Sequence, residues 1–323
     1  MAGIFFILVF KDTPLMQSNI ITEILLPVAL IVIMLGMGLS LTLNDFKRVV
    51  VFPKATFVGL AGQLVLLPVV AFLMLKVIDL PAALAVGVML LAVCPGGPTS
   101  NLMSNLARAD LALSITLTAI SSLITVFTIP IILNLAMEHF IGEGKYVQLP
   151  VVETMAQITV ISIIPVSIGM LIRWKFPKAA SKAEQPVKIA SALFITLVII
   201  GVIIREKDNL AGYFLEVGVI MLLINILIMT LAYGASALFK LSHPQCSTIS
   251  MESGIQNGTL AIAIATSAAL LNNPQMSIPA AVYSLQMFVT GGIAIYLFRR
   301  KFRDREPASA SPITEVSDRG QPK

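Results

Sequence analysis

The chain holds 323 residues, of which 57% are hydrophobic and only 12% charged, with a formal net charge of +5. A soluble domain carries about 25% charged residues, so a soluble enzyme is excluded and an all-α polytopic membrane protein is expected. The two cysteines, Cys94 and Cys246, lie in apolar runs, and the two histidines flank such runs. They offer neither a disulfide framework nor a His-based metal centre.

In chain order, the apolar run at 4–10 is too short to span, because a crossing helix needs about 20 apolar residues. No signal-cleavage pattern follows it, and residues 1–19 are read as an interfacial or disordered extension. Apolar segments follow at 20–42, 55–77, 81–107, 111–137, 150–172, 187–204, 210–239, 244–271 and 277–298, about nine crossings, with the third and eighth interrupted by polar residues. With the N-terminus outside, the cytoplasmic side receives most of the basic residues, from Lys47, Arg48 and Lys54 through Arg173 and Lys175 to the cluster at 299–305. The opposite side keeps only Lys11, Lys76, Lys145, Arg205 and Lys207. This asymmetry fits nine crossings with the C-terminus inside. It also accounts for the placement of the net charge, so no nucleic-acid partner is expected.

An odd number of crossings inverts the second group of four helices relative to the first. The offset from Ala55 to Cys94 resembles that from Leu210 to Met251. Broken helices at matching positions of two inverted halves point to a transporter's binding site; chance spacing in a repetitive apolar chain is the alternative. The expected organisation is a first repeat at 20–139, an intervening helix and basic linker at 140–186, and a second, inverted repeat at 187–300. A Pro- and Ser-containing tail at 301–323 is expected to be disordered.

The first interruption reads Cys94-Pro-Gly-Gly-Pro-Thr-Ser-Asn101. Two prolines stop the helix, and non-helical backbone survives at membrane depth only where protein or a water-filled cavity satisfies it. A helix restarting near Ser100 would aim its positive end into that cavity, which suits an anion; a plain proline kink is the alternative. The second interruption, Ser250-Met-Glu-Ser-Gly-Ile-Gln-Asn-Gly258, buries the carboxylate of Glu252, which costs several kcal/mol unless it is compensated. Carboxylate, amide and freed carbonyl oxygens suit a hard cation such as Na⁺. A protonated glutamic acid is the alternative, and it would serve a proton-coupled organic-anion carrier. Ser114 and Thr118 share one face of the fourth segment, and Gln63 lies mid-way along the second. Taken alone, each is more often a helix–helix hydrogen bond than a ligand. An intramembrane enzyme needs a nucleophile–base pair or metal ligands at depth; no deep His or second deep acid is in view, so an enzyme is not expected.

The paired motifs, Cys-Pro-Gly-Gly-x-x-Ser-Asn in one broken helix and Glu-x-Gly-x-Gln-Asn in the other, resemble those of the bile acid:sodium symporter family over about residues 20–300. The run Gly36-Met-Gly-Leu-Ser-Leu-Thr42 fits as well, while the extra N-terminal helix of some members is not expected here. The resemblance implies panel and core domains, two crossing discontinuous helices and two sodium sites. One site would use Ser100, Asn101, Ser114, Thr118 and Glu252. The other would use Gln63, Glu252 and Gln256 with the carbonyls of Ser253 and Ile255. Thr99 and Asn257, joined by Gln286, would face the substrate; Pro98 stands where the family often carries a small hydroxyl residue. The implied function is sodium symport of an organic anion, a bile acid or a small carboxylate like pantoate, by alternating access. The implied setting is a bacterial inner membrane, with sodium, substrate and lipid as partners and no obligatory protein partner.

Overall fold

The computed structural model describes residues 26–142, 148–183, 210–267 and 270–303, together with 185–187, 189, 190 and 193. The extension at 1–19, nearly all of segment 187–204 and the tail beyond 303 lie outside the described residues. The helices are α1 (Leu26–Ser40), α2 (Leu43–Val51), α3 (Pro53–Val77), α4 (Ala82–Ala92), α5 (Pro98–Leu106), α6 (Leu111–Ile141), α7 (Val151–Lys175), α8 (Leu210–Leu238), α9 (His243–Gly254), α10 (Gly258–Thr266) and α11 (Ile278–Arg303). No strand occurs among the described residues. The basic linker after α7 is itself helical over 177–183.

Five helical stretches are long and apolar enough to cross a membrane, containing α3, α6, α7, most of α8 and most of α11. The bent pair α1 and α2, turned by 74°, would make a sixth. Their outer faces carry exposed apolar side chains, such as Phe57, Val65, Val69 and Leu73 on α3, as a lipid-facing surface does. The chain is therefore a multi-pass membrane protein. By contrast α4, α5, α9 and α10 have 11, 9, 12 and 9 residues, each too short to cross alone.

Both interruptions are real breaks. Pro98 takes an early position in α5, where its missing N–H costs nothing, so the helix starts there with Gly97 as N-cap rather than near Ser100. The second break is short: α9 runs through Glu252 to Gly254, and α10 restarts at Gly258 with the Asn257 side chain accepting from Leu260 N at 3.0 Å. The two breaks meet. Gly96 and Gln256 form an isolated antiparallel bridge, and Asn257 N donates to Pro95 O at 2.9 Å. Each break thus meets part of the other's backbone hydrogen-bonding need inside a buried core, where α10 is buried along its whole length.

Two spans continue through proline by widening one turn. A π-turn at Gly62–Leu66 precedes Pro68 in α3, and one at Thr159–Ile163 precedes Pro165 in α7. The wider turn absorbs the clash and the missing donor that proline brings. Gln63 sits inside the first of these turns. Helices α1 and α7 pack through glycine: a Cβ on Gly169 would fall 2.8 Å from Gly38 Cα.

Candidate ion and substrate site

Among the described residues Glu252 is the one buried charged side chain, and it is fully enclosed. Its carboxylate is met from α6. Ser114 Oγ donates to Oε1, and Thr118 Oγ1 donates to Oε2 at 2.8 Å. The four-residue spacing of these hydroxyls on one rigid helix puts them side by side. From the start of α5, Asn101 Oδ1 lies 2.9 Å from Ser114 Oγ and 3.4 Å from Thr118 Oγ1, and Ser100 Oγ lies 3.4 Å from Thr118 Oγ1. Ser100 spends its proton on Gly97 O at 2.7 Å.

Counting protons shows what this cluster lacks. Each hydroxyl has one proton. Those of Ser114 and Thr118 go to the carboxylate, their strongest acceptor, and that of Ser100 goes to the backbone. Asn101 Oδ1 and the remaining lone pairs then gather around an anionic group, and no cationic side chain is buried beside it among the described residues. A desolvated cation satisfies such an oxygen-only set.

On its backbone side Glu252 belongs to the last turn of α9, whose carbonyls have no intrahelical partners. Gln63 Nε2 and Gln256 Nε2 each donate to Glu252 O at 3.2 Å, and Gln256 Nε2 also donates to Ser253 O at 2.9 Å. Gln63 Oε1, Gln256 Oε1 and Ser253 Oγ are buried without hydrogen-bond partners. Ile255, the C-cap of α9, is extended and fully buried. This second group of orphaned oxygens also fits a hard cation. Gly96 closes against both groups: a Cβ there would lie 2.6 Å from Glu252 Oε2 and 3.0 Å from Gln63 Nε2.

Of the residues expected to face substrate, Asn257 is buried beside the bridge, and its Nδ2 has no partner. Thr99 is half-buried in the first turn of α5. Gln286 is engaged elsewhere, donating to Gly218 O on α8 at 2.8 Å. Three residues escaped the sequence reading. Ser104 Oγ lies 3.2 Å from Ser114 Oγ. Asn225 Nδ2 and Tyr283 Oη both donate to Gly254 O, at 2.7 and 2.9 Å, and lie 2.8 Å from each other. They hold the end of α9 from α8 and α11. Asn225 stands amid apolar residues of its helix, a signal that would have found it.

The family model described as "Sodium Bile acid symporter family" matches residues 27–213. A Bacillus subtilis (strain 168) protein, "Uncharacterized sodium-dependent transporter YocS", is 29% identical over 282 residues, 87% of this chain and 84% of that protein. The human "Sodium/bile acid cotransporter 4" is 30% identical over 326 residues, 95% of this chain and 71% of its own length. The Arabidopsis thaliana "Probable sodium/metabolite cotransporter BASS1, chloroplastic" is 29% identical over 276 residues, 84% of this chain and 66% of that protein. With the family match covering more than half of its length, this chain belongs to the sodium bile acid symporter family, a family of sodium-dependent membrane transporters.

Proposed function

We propose that the chain is a symporter that imports an organic anion with sodium by alternating access. The observation that carries this reading is the enclosed Glu252 carboxylate, ringed by oxygens that outnumber their protons. One sodium ion is held by Ser100, Asn101, Ser114, Thr118 and Glu252. A second is held by Gln63, Glu252, Gln256 and the carbonyls of Ser253 and Ile255, with the amides of Gln63 and Gln256 turning their free oxygens toward it. Sodium neutralises Glu252 and fixes the two breaks against each other, so the substrate meets a preorganised pocket. The two ligands are then coupled through one structure.

The substrate's anionic group sits where α5 and α10 begin, near Thr99 and the unpartnered Nδ2 of Asn257. Its class is that of bile acids or small carboxylates such as pantoate; Gln286 joins the pocket only after leaving Gly218. The repeats at 20–139 and 187–300 form inverted halves of a nine-crossing protein in a bacterial inner membrane, N-terminus out and C-terminus in, with panel and core domains moving against each other. The relatives compared are all named for sodium and none for proton coupling.

The test is uptake into proteoliposomes of candidate carboxylates and bile acids under an inward sodium gradient, a choline control and a pH gradient. Uptake is expected with sodium alone and is expected to disappear in Glu252→Ala. Equal uptake in sodium and choline would overturn the reading.

A further inference from the structure

A cavity of about 720 Å³ lies between the end of α1, α2 and the last turns of α7, remote in sequence from the residues around Glu252. Its wall includes Thr42, Asn44, Lys47, Leu171, Arg173 and Trp174. Both charged groups are cationic, and no acidic side chain is among the described residues that line it. Asp45, the acid nearest in sequence, is occupied: its Oδ2 accepts from Thr42 N and from Thr42 Oγ1, each at 2.7 Å. The chemistry of the wall is thus that of an anion-binding pocket with an apolar side.

The apolar side continues out of the cavity. Val160, Ile164, Ile168 and Leu171 follow one another at helical spacing on α7 and are 43 to 49% exposed, and Trp174, 71% exposed, stands at the end of the row. Of the five spans, α7 is the least enclosed, with 22% of its most apolar stretch buried against 39 to 56% for the others. From Val160 to Leu171 the row extends about 16 Å at 1.5 Å per residue, close to the thickness of one leaflet in a hydrocarbon core of about 30 Å. A soluble anion would use the cavity and leave the row idle. A two-part ligand, charged at one end and one leaflet long at the other, uses both.

We propose that this cavity binds the headgroup of an anionic phospholipid, with an acyl chain lying along the Val160–Leu171 row of α7. Lys47 and Arg173 attract the phosphate, Asn44 offers a hydrogen bond to it, and Trp174 sits at the level where indoles mark the membrane interface. The site is independent of the sodium reading, and either can fail without the other.

The test titrates the purified full chain in detergent with phosphatidylglycerol or phosphatidylcholine of identical acyl chains, counting bound lipid by native mass spectrometry. The chain is expected to retain one phosphatidylglycerol in preference to phosphatidylcholine. Lys47→Gln with Arg173→Gln is expected to lower phosphatidylglycerol affinity about thirtyfold, about fivefold for each charge. Lys240→Gln, a basic residue outside the cavity, is expected to change nothing. Should the double variant fail to purify, Lys47→Gln alone carries the test, with about a fivefold loss expected. Equal retention of the two lipids, unchanged preference in the cavity variants, or displacement of phosphatidylglycerol by glycerol 3-phosphate at equal concentration would each overturn the proposal, the last assigning the cavity to a soluble anion.

Discussion

Two hydroxyls set the chemistry around Glu252, and each hands its single proton to the carboxylate from α6. A hydrogen bond to a charged group is worth about 1.5–3 kcal/mol, so each hydroxyl favours the charged carboxylate that a cation needs and holds it in place. Ser114→Ala is therefore expected to weaken sodium binding about tenfold or more, and Thr118→Val by a similar factor. The double variant should lose less than the product of the two, because both hydroxyls act on the same carboxylate. Sodium-dependent thermal shifts of the purified variants check this; an unchanged sodium dependence in both single variants would remove the hydroxyls from the site. Tyr283→Phe removes one of the two donors to Gly254 O while Asn225 keeps the other, so a loss of only about 1 kcal/mol of stability is expected by denaturant melting.

At the scale of elements, the site depends on how closely the first break approaches α9. Neighbouring glycines separate backbone freedom from close packing. A Cβ on Gly96 would strike Glu252 and the Gln63 amide, whereas one on Gly97 would rest at ordinary contact distance, 3.6 Å, from Asn257 Cα. Gly96→Ala is expected to abolish the sodium-induced thermal shift, and Gly97→Ala to leave it nearly intact. Equal effects would mean that the glycines serve only to break the helix.

The breaks themselves were legible, since Pro95, Pro98 and a carboxylate in apolar runs leave few alternatives. α5 starts two residues before Ser100 because Pro98 belongs to the new helix rather than to the break. The π-turns were not legible: whether a helix kinks or widens before proline depends on its neighbours, and Pro68 and Pro165 carry no local mark of the choice. Nor was Tyr283, whose partner is a backbone carbonyl freed only by a break 29 residues earlier.

For the whole molecule, hydropathy marked out the membrane class and the order of the described helices. It did not reveal how the two breaks dock, because that contact is made by backbone groups that any sequence carries. The proposed nine-crossing arrangement places Lys54 and Lys240 on one side and Lys76 on the other. Both native cysteines are buried, so Lys54→Cys and Lys240→Cys should be labelled by an impermeant maleimide from the cytoplasmic side, and Lys76→Cys from the outside. Labelling of Lys54→Cys and Lys240→Cys from opposite sides would refute the inverted repeat, and labelling of Lys54→Cys and Lys76→Cys from one side would refute the crossing of α3. The central claim is that the charge of Glu252 is matched by sodium, and calorimetric titration of the full chain with NaCl, using choline chloride as control, tests it most directly. The account predicts saturable sodium binding in the native chain and its loss in Glu252→Gln, which keeps the side chain's shape and removes its charge. Sodium binding of equal affinity in the native chain and in Glu252→Gln would contradict it.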